Sequence, residues 1–374
     1  MVAILILIAA LTAGACRRDV APPEPAAQES PAPLPTGIRG PLDPSLVADL
    51  KGVPEFFRTV PLTEGKDVDS LAFWAGPEGP PWLLATQKDL SYILILDATT
   101  GELLQRVGGA GEGPGTFDRP NGIAVIDDLV LVVEKNAQRI QVLRLPDFES
   151  LGTFGEDLLL APYGVAVDRP GEWYEVFVTD SHDALADKRP DPESFANRVR
   201  HYRFRPSKPG LEVELVRSFG ETTGDGALYR VESLAIDRPL GRLYIADELR
   251  LDVKVYSLEG EFTGLTFGGG RHYYEPEGVV LLSCGPEQKH EGYVIAADQT
   301  QPSRFLVYER QGLDYLGGFT GEPAIDITDG IAFAAMDEGP GAGGMFYATH
   351  HDVQVVGYRW IDIAEVMGLA ADCR

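Results

Sequence analysis

The sequence predicts an all-β protein, a six-bladed β-propeller followed by a short C-terminal helix. A pattern returns six times along the 374 residues: a turn of small residues, an apolar run, a run that often bears Asp, and a further apolar run. The copies lie roughly 40 to 70 residues apart, which is the length of a four-stranded blade. The leading runs of the six copies begin at Asp69, Asn121, Tyr163, Glu232, Glu277 and Asp329.

Each run is short, rich in Val, Ile, Tyr and Phe, and bounded by Gly, Pro or Asp. Such runs are typical of strands that neighbouring blades cover on both faces. The sixth copy contains three strands, so we expect residues 56–62 to supply its fourth and to close the ring, which removes an exposed sheet edge. Near the C-terminus, Trp360, Ile363, Ala364 and Met367 follow the spacing of one helix face and predict a short helix packed on the last blade.

The first 16 residues are apolar and end in small residues before Cys16. They resemble a bacterial lipoprotein signal peptide, with Cys16 as the lipidation site. Residues 17–50 are rich in Pro, Ala and Glu and predict a disordered tether, and residues 51–374 form the propeller domain. We therefore expect a protein anchored by lipid in a bacterial cell envelope (periplasm or outer membrane), or a secreted one, and a monomer. Its membrane contact would be made by the N-terminal lipid only.

If Cys16 carries lipid, two cysteines remain, Cys284 and Cys373. An even number in an oxidising compartment favours a disulfide between the fifth blade and the C-terminus. Two unpaired thiols are the alternative, and the sequence leaves both open.

The formal net charge of −25 argues against nucleic acid and anionic membrane as partners. Some acids stand at the starts of the repeats, and equivalent positions of successive blades converge at one mouth of a propeller channel. We expect this group to meet there: Asp69, Glu232, Glu275, Glu277, Asp326 and Asp329. Carboxylates that repel one another favour a hard divalent cation, and Ca²⁺ suits oxygen ligands best. His350 and His351 have no third His to complete a zinc site.

At these same positions the chain resembles the β-propeller phytases, calcium-dependent phosphatases that act on inositol hexakisphosphate. The resemblance runs from about residue 67 to residue 365. It lies in segments 67–74, 232–248, 275–278, 297–299, 305–312, 326–330 and 358–364. Residues 232–248, for example, are similar to the family's Thr-Glu-Gly segment and the Leu-Tyr-Ile-Ala-Glu-Glu strand that follows it.

The resemblance implies a 3-phytase-like phosphomonoester hydrolase with Ca²⁺ as cofactor and a phytate-like phosphorylated small molecule as substrate. It implies calcium ligands at Glu232, at Asp247 or Glu248, and at Gln299, in addition to the acids of the mouth. Contacts to phosphate are implied for Lys88, Asn121, Tyr163 and Arg217. Among all these residues, Glu232, Asp247 and Lys88 would carry the catalysis, and Lys135 or Arg139 would supply a further cation.

Two other functions are compatible with the sequence. Residues 108–125 and 136–142 resemble an NHL repeat, a blade type common in propellers that bind without catalysis, and there Arg139 has a packing role. A calcium-centred lactonase or esterase propeller also places Asp, Asn and Glu at its mouth, and its substrate would be neutral.

Overall fold

The computed structural model describes residues 47–63, 68–181, 196–208, 210–286 and 289–374. Their strands form six sheets, each antiparallel except for one added parallel strand. The inner strands of the six sheets contact one another in chain order, and the last contacts the first. The protein is therefore a six-bladed β-propeller, and the predicted fold class is confirmed.

Two short strands precede the first blade, β1 (Lys51–Pro54) and β2 (Phe57–Arg58). Blade one contains β3 (Val68–Trp74), β4 (Trp82–Gln87), β5 (Tyr92–Asp97) and β6 (Leu103–Gly108). Blade two contains β7 (Pro120–Ile126), β8 (Leu129–Glu134), β9 (Arg139–Arg144) and β10 (Glu149–Phe154). Blade three contains β11 (Pro162–Asp168), β12 (Tyr174–Asp180), β13 (Val199–Pro206) and β14 (Leu211–Phe219).

Blade four contains β15 (Val231–Asp237), β16 (Arg242–Asp247), β17 (Asp252–Ser257) and β18 (Phe262–Phe267). Blade five contains β19 (Pro276–Ser283), β20 (Gly292–Asp298), β21 (Arg304–Glu309) and β22 (Tyr315–Glu322). Blade six contains β23 (Ile331–Ala334), β24 (Met345–His350) and β25 (Gln354–Arg359), and a single helix, α1 (Trp360–Met367), follows it.

Six apolar clusters of the core lie between adjacent blades, one at each junction, and a small seventh contains Ala227 and Tyr229. The division follows from the two-residue period of a strand, because successive side chains point to opposite faces. On β4, for example, Leu83 and Ala85 pack toward blade six, whereas Leu84 packs toward blade two. A strand covered on both faces must be apolar at nearly every position, as the sequence pattern indicated.

The ring closes as the sequence predicted, and one further pairing adds to it. Strand β2 pairs antiparallel with β25, so residues near the N-terminus complete blade six. Strand β1 pairs parallel with β22 and gives blade five a fifth strand. The N-terminal segment thus covers one sheet edge and completes another, and it joins blades five and six.

Helix α1 forms where predicted, but it lies across the junction of blades five and six and not on the last blade alone. Its Trp360 ring lies 5.8 Å from the ring of Phe333 in blade six and 5.8 Å from that of Tyr293 in blade five. After the helix, Cys373 is joined by a disulfide to Cys284, which follows β19. The C-terminus is therefore attached covalently to blade five.

Residues 1–46 lie outside the described residues, so the signal peptide, Cys16 and nearly all of the tether stay predictions. In the described part of the chain, no helix combines the length and the apolar character that crossing a bilayer requires.

Candidate functional site

In each blade, one residue at or just before the start of the inner strand lies at the same end of the central channel. In blades one to five this residue lies within an irregularity of the strand register, and in blade six it lies two residues before β23. The six residues, in blade order, are Asp69, Asn121, Tyr163, Glu232, Glu277 and Asp329. We call this set the mouth ring. It unites four of the predicted mouth acids with Asn121 and Tyr163, which the resemblance alone had suggested.

A small residue follows each member of the mouth ring, and the structure shows why. A Cβ atom on Gly122 would overlap the carbonyl oxygen of Tyr163 in the next blade. One on Gly330 would overlap the carbonyl oxygen of Asp69 in the same way. At these glycines the backbones of adjacent inner strands approach too closely to admit a side chain. The close approach brings the ring residues together around the channel.

Buried threonines hold the mouth ring in register. The Thr86 hydroxyl accepts a hydrogen bond from the Ser70 N–H (3.0 Å) and donates one to the carbonyl of Asn121 in the next blade (2.7 Å). Thr179 does the same farther along the ring, accepting from the Gly164 N–H (2.8 Å) and donating to the Glu232 carbonyl (2.7 Å). The backbone that carries the ring residues is therefore fixed by neighbouring blades before any ligand binds.

On the second strand of each blade, the residue after the position held by Thr86 and Thr179 has a structural role. In blades two to five it is Glu134, Asp180, Asp247 or Asp298, and each accepts hydrogen bonds from backbone N–H groups of the loop that leads into its inner strand. Asp247 accepts from the N–H groups of Tyr229 (2.7 Å) and Leu249 (3.1 Å) and has no exposed surface. The geometry thus gives Asp247 the task of holding a loop, and it does not place its carboxylate in the mouth ring.

The residue directly after the end of each second strand belongs to another set, which we call the rim residues. These six rim residues are Lys88, Lys135, Ser181, Glu248, Gln299 and His351. Lys88 forms ion pairs with Asp69 and, at 3.7 Å, with Asp329. Gln299 donates a hydrogen bond to the other oxygen of Asp329. Ring and rim together form the candidate site.

Three glutamates converge on one side of the mouth. Carboxylate oxygens of Glu232, Glu248 and Glu277 lie within 4.8 Å of one another, and all three residues are buried. Burial, followed by the repulsion of Glu248, raises the pKa of Glu232 and of Glu277 well above the ordinary value. The Oε2 atom of Glu232 is buried and has no hydrogen-bond partner among the described residues. Such a cluster fits a hard divalent cation, because a cation would relieve the repulsion and satisfy the buried oxygen.

Cationic side chains lie on the opposite side, in blades one and two. The Nζ atom of Lys135 lies 5.0 Å from the centre of the Tyr163 ring, and that of Lys88 lies 6.0 Å from it. Burial lowers the pKa of Lys135, although Glu232 opposes this effect. Next to these lysines, Asn121 is fully buried, and its side-chain amide has no hydrogen-bond partner in the described part of the chain. The mouth therefore has one half with three converging glutamates and another with two lysines, of which Lys88 is paired with Asp69 and Asp329.

The remaining predicted residues lie farther from the centre. Glu275 is partly exposed, and burial together with Glu248 raises its pKa to about 7. Asp326 lies on the rim, 3.5 Å from His351. Arg217 lies on β14, the outermost strand of its blade, where it donates a hydrogen bond to the carbonyl of Glu259. The structure therefore does not place Arg217 in the mouth, because an outermost strand faces away from the channel.

The structure gives roles to two arginines: Arg230, which the sequence did not indicate, and Arg139, whose role the sequence left open. Arg230 lies 3.0 Å from Glu248 and 3.6 Å from Glu275, and it is the counter-charge of the acidic half. Its position two residues before Glu232 was the sequence feature that could have indicated this role. Arg139 pairs with Glu134 at 2.8 Å and donates to the carbonyl of Glu112, so it packs its blade. Of Lys135 and Arg139, the two residues predicted to supply a further cation, only Lys135 lies at the mouth.

Below the mouth ring the inner strands line a cavity of about 420 Å³. Its walls include Ala72, Ile123, Val165, Leu234 and Val279, which come from the inner strands of five blades. None of the described residues that line this cavity is charged.

No protein-family model matches the chain, and no curated protein is similar to it. Among solved structures, a chain of a nidogen/laminin complex is 13% identical, with a TM-score of 0.47, over 72% of this chain and 91% of that chain. A DUF4221-family protein from Bacteroides vulgatus is 11% identical, with a TM-score of 0.49, over 83% of this chain and 98% of that one. A chain from a BBS1N complex with ARL6DN is 12% identical, with a TM-score of 0.42, over 78% and 77%. At these values the similarities assign no function.

Proposed function

We propose that the mouth binds Ca²⁺ and hydrolyses a phosphomonoester of a small molecule, as the resemblance to β-propeller phytases implies. One observation carries the proposal: the buried Oε2 of Glu232, without a hydrogen-bond partner, lies in a cluster of three carboxylates. Leaving such an oxygen unpaired is costly, and a cation is the ligand that three carboxylates accept.

Glu232, Glu248 and Glu277 would hold the cation. Oxygen is the only donor element in this set, which favours Ca²⁺ over zinc. Calcium takes about six to eight oxygen ligands, so three carboxylates leave positions for water and substrate. When bound, the ion would polarise a phosphoryl oxygen and lower the pKa of a bound water.

Residues on the other side of the mouth would hold the phosphate. The Lys135 ammonium would neutralise a phosphoryl oxygen, and the unpartnered Asn121 amide would donate a hydrogen bond to another. Burial, with a further contribution from Glu232, raises the pKa of Tyr163 well above the ordinary value, so its phenol keeps its proton and donates. One half of the mouth would thereby hold the cation, and the other half would hold a phosphate bound to that cation.

The test is phosphate release by the protein from inositol hexakisphosphate and from p-nitrophenyl phosphate, with millimolar calcium and with chelator. We expect release that depends on calcium, and a loss of about tenfold or more in Glu232→Gln, because a neutral amide holds the ion less tightly. Glu102→Gln, which changes an exposed glutamate in the turn before β6, serves as the matched control and should retain full activity. Release that persists in chelator would refute the role of the cation.

A propeller that binds calcium without catalysis is the second candidate. It is favoured by the pairing of Lys88 with two aspartates, which removes one cation from the phosphate-binding half. In that case calcium would raise the melting temperature, and no phosphate would be released from either ester. A calcium-dependent lactonase is the third candidate, favoured by the cavity below the mouth, whose lining contains no charged side chain, and it would open a neutral lactone in the same assay format.

We further propose that the chain is a lipoprotein of the cell envelope, attached through Cys16. Strand β1 runs parallel to β22, toward the end of blade five at which the mouth lies. The first residue of β1 therefore lies at the end of blade five opposite the mouth. Incorporation of labelled palmitate that Cys16→Ser abolishes would support this assignment, whereas unchanged labelling would refute it.

A further inference from the structure

Lys88 occupies an enclosed position between two aspartates of the mouth ring. Its Nζ atom pairs with Oδ2 of Asp69 in blade one and lies 3.7 Å from Oδ2 of Asp329 in blade six. The Lys88 side chain is only 13% exposed, as is that of Asp329, and that of Asp69 is 3% exposed. The ammonium group therefore lies inside the ring, at the junction where the last blade meets the first.

The second oxygen of each aspartate already has a neutral donor. Ser70 donates its hydroxyl to Oδ1 of Asp69 at 2.7 Å, and Gln299 donates its side-chain amide to Oδ1 of Asp329. The two Oδ2 atoms are left to face the same point, which the Lys88 ammonium fills. Residues of blades one, five and six thus build one position for a single positive charge.

The half of the mouth that contains the three glutamates differs, because no lysine among the described residues is enclosed between its carboxylates. Carboxylate oxygens of Glu232, Glu248 and Glu277 converge within 4.8 Å, and among the described residues no lysine forms an ion pair with them. Arg230 reaches Glu248 from the rim, but the Oε2 atom of Glu232 stays without a hydrogen-bond partner. One half of the mouth thus holds a lysine enclosed between two carboxylates, whereas in the other half Arg230 pairs with Glu248 and the Oε2 atom of Glu232 has no hydrogen-bond partner.

We propose that Lys88 is a built-in counter-ion that fills one of two cation positions in the mouth. The protein then binds one divalent cation, at the glutamates, and removing the Lys88 ammonium opens a second position between Asp69 and Asp329. The inference rests on the proposed function in treating the glutamates as a cation site. It also departs from the resemblance, because a lysine engaged by two aspartates is not available to a substrate phosphate.

The test is the calcium stoichiometry of the full-length protein, measured by equilibrium dialysis. We expect one calcium for the wild type and two for Lys88→Met, because methionine keeps most of the chain length without the charge. Lys135→Met removes a lysine of the same mouth that pairs with neither aspartate, and it should stay at one. Adding Asp329→Asn to Lys88→Met should restore one calcium, which would locate the second ion.

A second measurement does not depend on the stability of Lys88→Met. In the otherwise unchanged protein, Asp329→Asn should leave calcium affinity within about twofold, whereas Glu277→Gln should weaken it about tenfold or more. A stoichiometry of one in folded Lys88→Met, or loss of calcium binding in Asp329→Asn alone, would overturn the inference and leave the glutamate site intact. A wild type that binds no calcium would instead refute the proposed function.

Discussion

Acidic residues of this protein have different roles, and their contacts decide which. Asp247 and Glu232 are both buried acids at the mouth end of blade four. Asp247 is surrounded by backbone N–H groups and holds a loop, whereas Glu232 faces other carboxylates and keeps one oxygen without a hydrogen-bond partner. A carboxylate whose oxygens are occupied by amides has little capacity left for a ligand, so only the second acid is a good candidate for metal binding.

A buried histidine gives the protein a predictable response to acid. His201 stacks on Phe177 with the ring centres 4.1 Å apart, and it is 4% exposed. Burial, only partly opposed by Glu175, lowers the pKa of His201 to about 4. Between about pH 6.5 and pH 4 the unfolded chain therefore binds a proton that the folded protein does not bind. The free energy of unfolding should fall as the pH is lowered through this range.

His201→Gln removes this titration. Between pH 7 and pH 5 we expect the variant to lose roughly 1–2 kcal/mol less unfolding free energy than the wild type loses. Urea unfolding at the two pH values, in chelator so that metal binding does not contribute, measures the difference. Parallel losses in the two proteins would show that His201 becomes protonated in the folded state.

The inner strands are the elements that create the site. Their repeated pairing of a mouth-ring residue with a small residue was visible in the sequence at all six positions, from Asp69-Ser70 to Asp329-Gly330. What the sequence did not reveal is the reason for the small residue. At Gly122, Gly164 and Gly330 it lies against the backbone of the next blade, a contact with a segment that is not adjacent along the chain.

Gly164 offers a direct test of this close approach. A Cβ atom there would lie 2.5 Å from the Glu232 carbonyl oxygen, so Gly164→Ala should lower the free energy of unfolding by about 1–3 kcal/mol. The calcium-induced rise in melting temperature should also shrink, because the backbone of Glu232 must move. Gly171→Ala is the matched control, since nothing lies within 4 Å of the added atom. Equal melting temperatures of the two variants would argue against a tight contact at Gly164.

Closure of the ring depends on both ends of the chain. Strands β1 and β2 join blades five and six, helix α1 lies across the same junction, and the disulfide attaches Cys373 to Cys284. Beside the disulfide, Arg374 and Ser283 exchange two backbone hydrogen bonds of 2.7 Å. Opening the ring therefore requires the release of contacts made by both terminal segments.

Loss of the disulfide should weaken this closure. The two cysteines are separated by 89 residues, so the bond restricts a long loop of the unfolded chain. We expect Cys284→Ser combined with Cys373→Ser to lower the free energy of unfolding by about 2–5 kcal/mol in denaturant titrations. Reductant should lower the stability of the wild type and leave the double variant unchanged. A wild type insensitive to reductant would indicate that the bond contributes little.

The sequence by itself determined the number of blades, the strand that closes the ring, the short terminal helix and the end of the channel at which acids gather. These properties depend on residue type and period, which can be read locally. It also indicated Glu232, Glu277 and Asp329 as members of one group.

Only the tertiary structure decided which of these acids have counter-charges. Lys88 of blade one lies beside Asp329 of blade six, while the counter-charge of the glutamates of blades four and five is Arg230, with no lysine paired to them among the described residues. The partners of a charge in a closed ring come from blades far apart along the chain. The electrostatic state of each acid therefore follows from how the ring closes, and the repeat pattern contains no information about it.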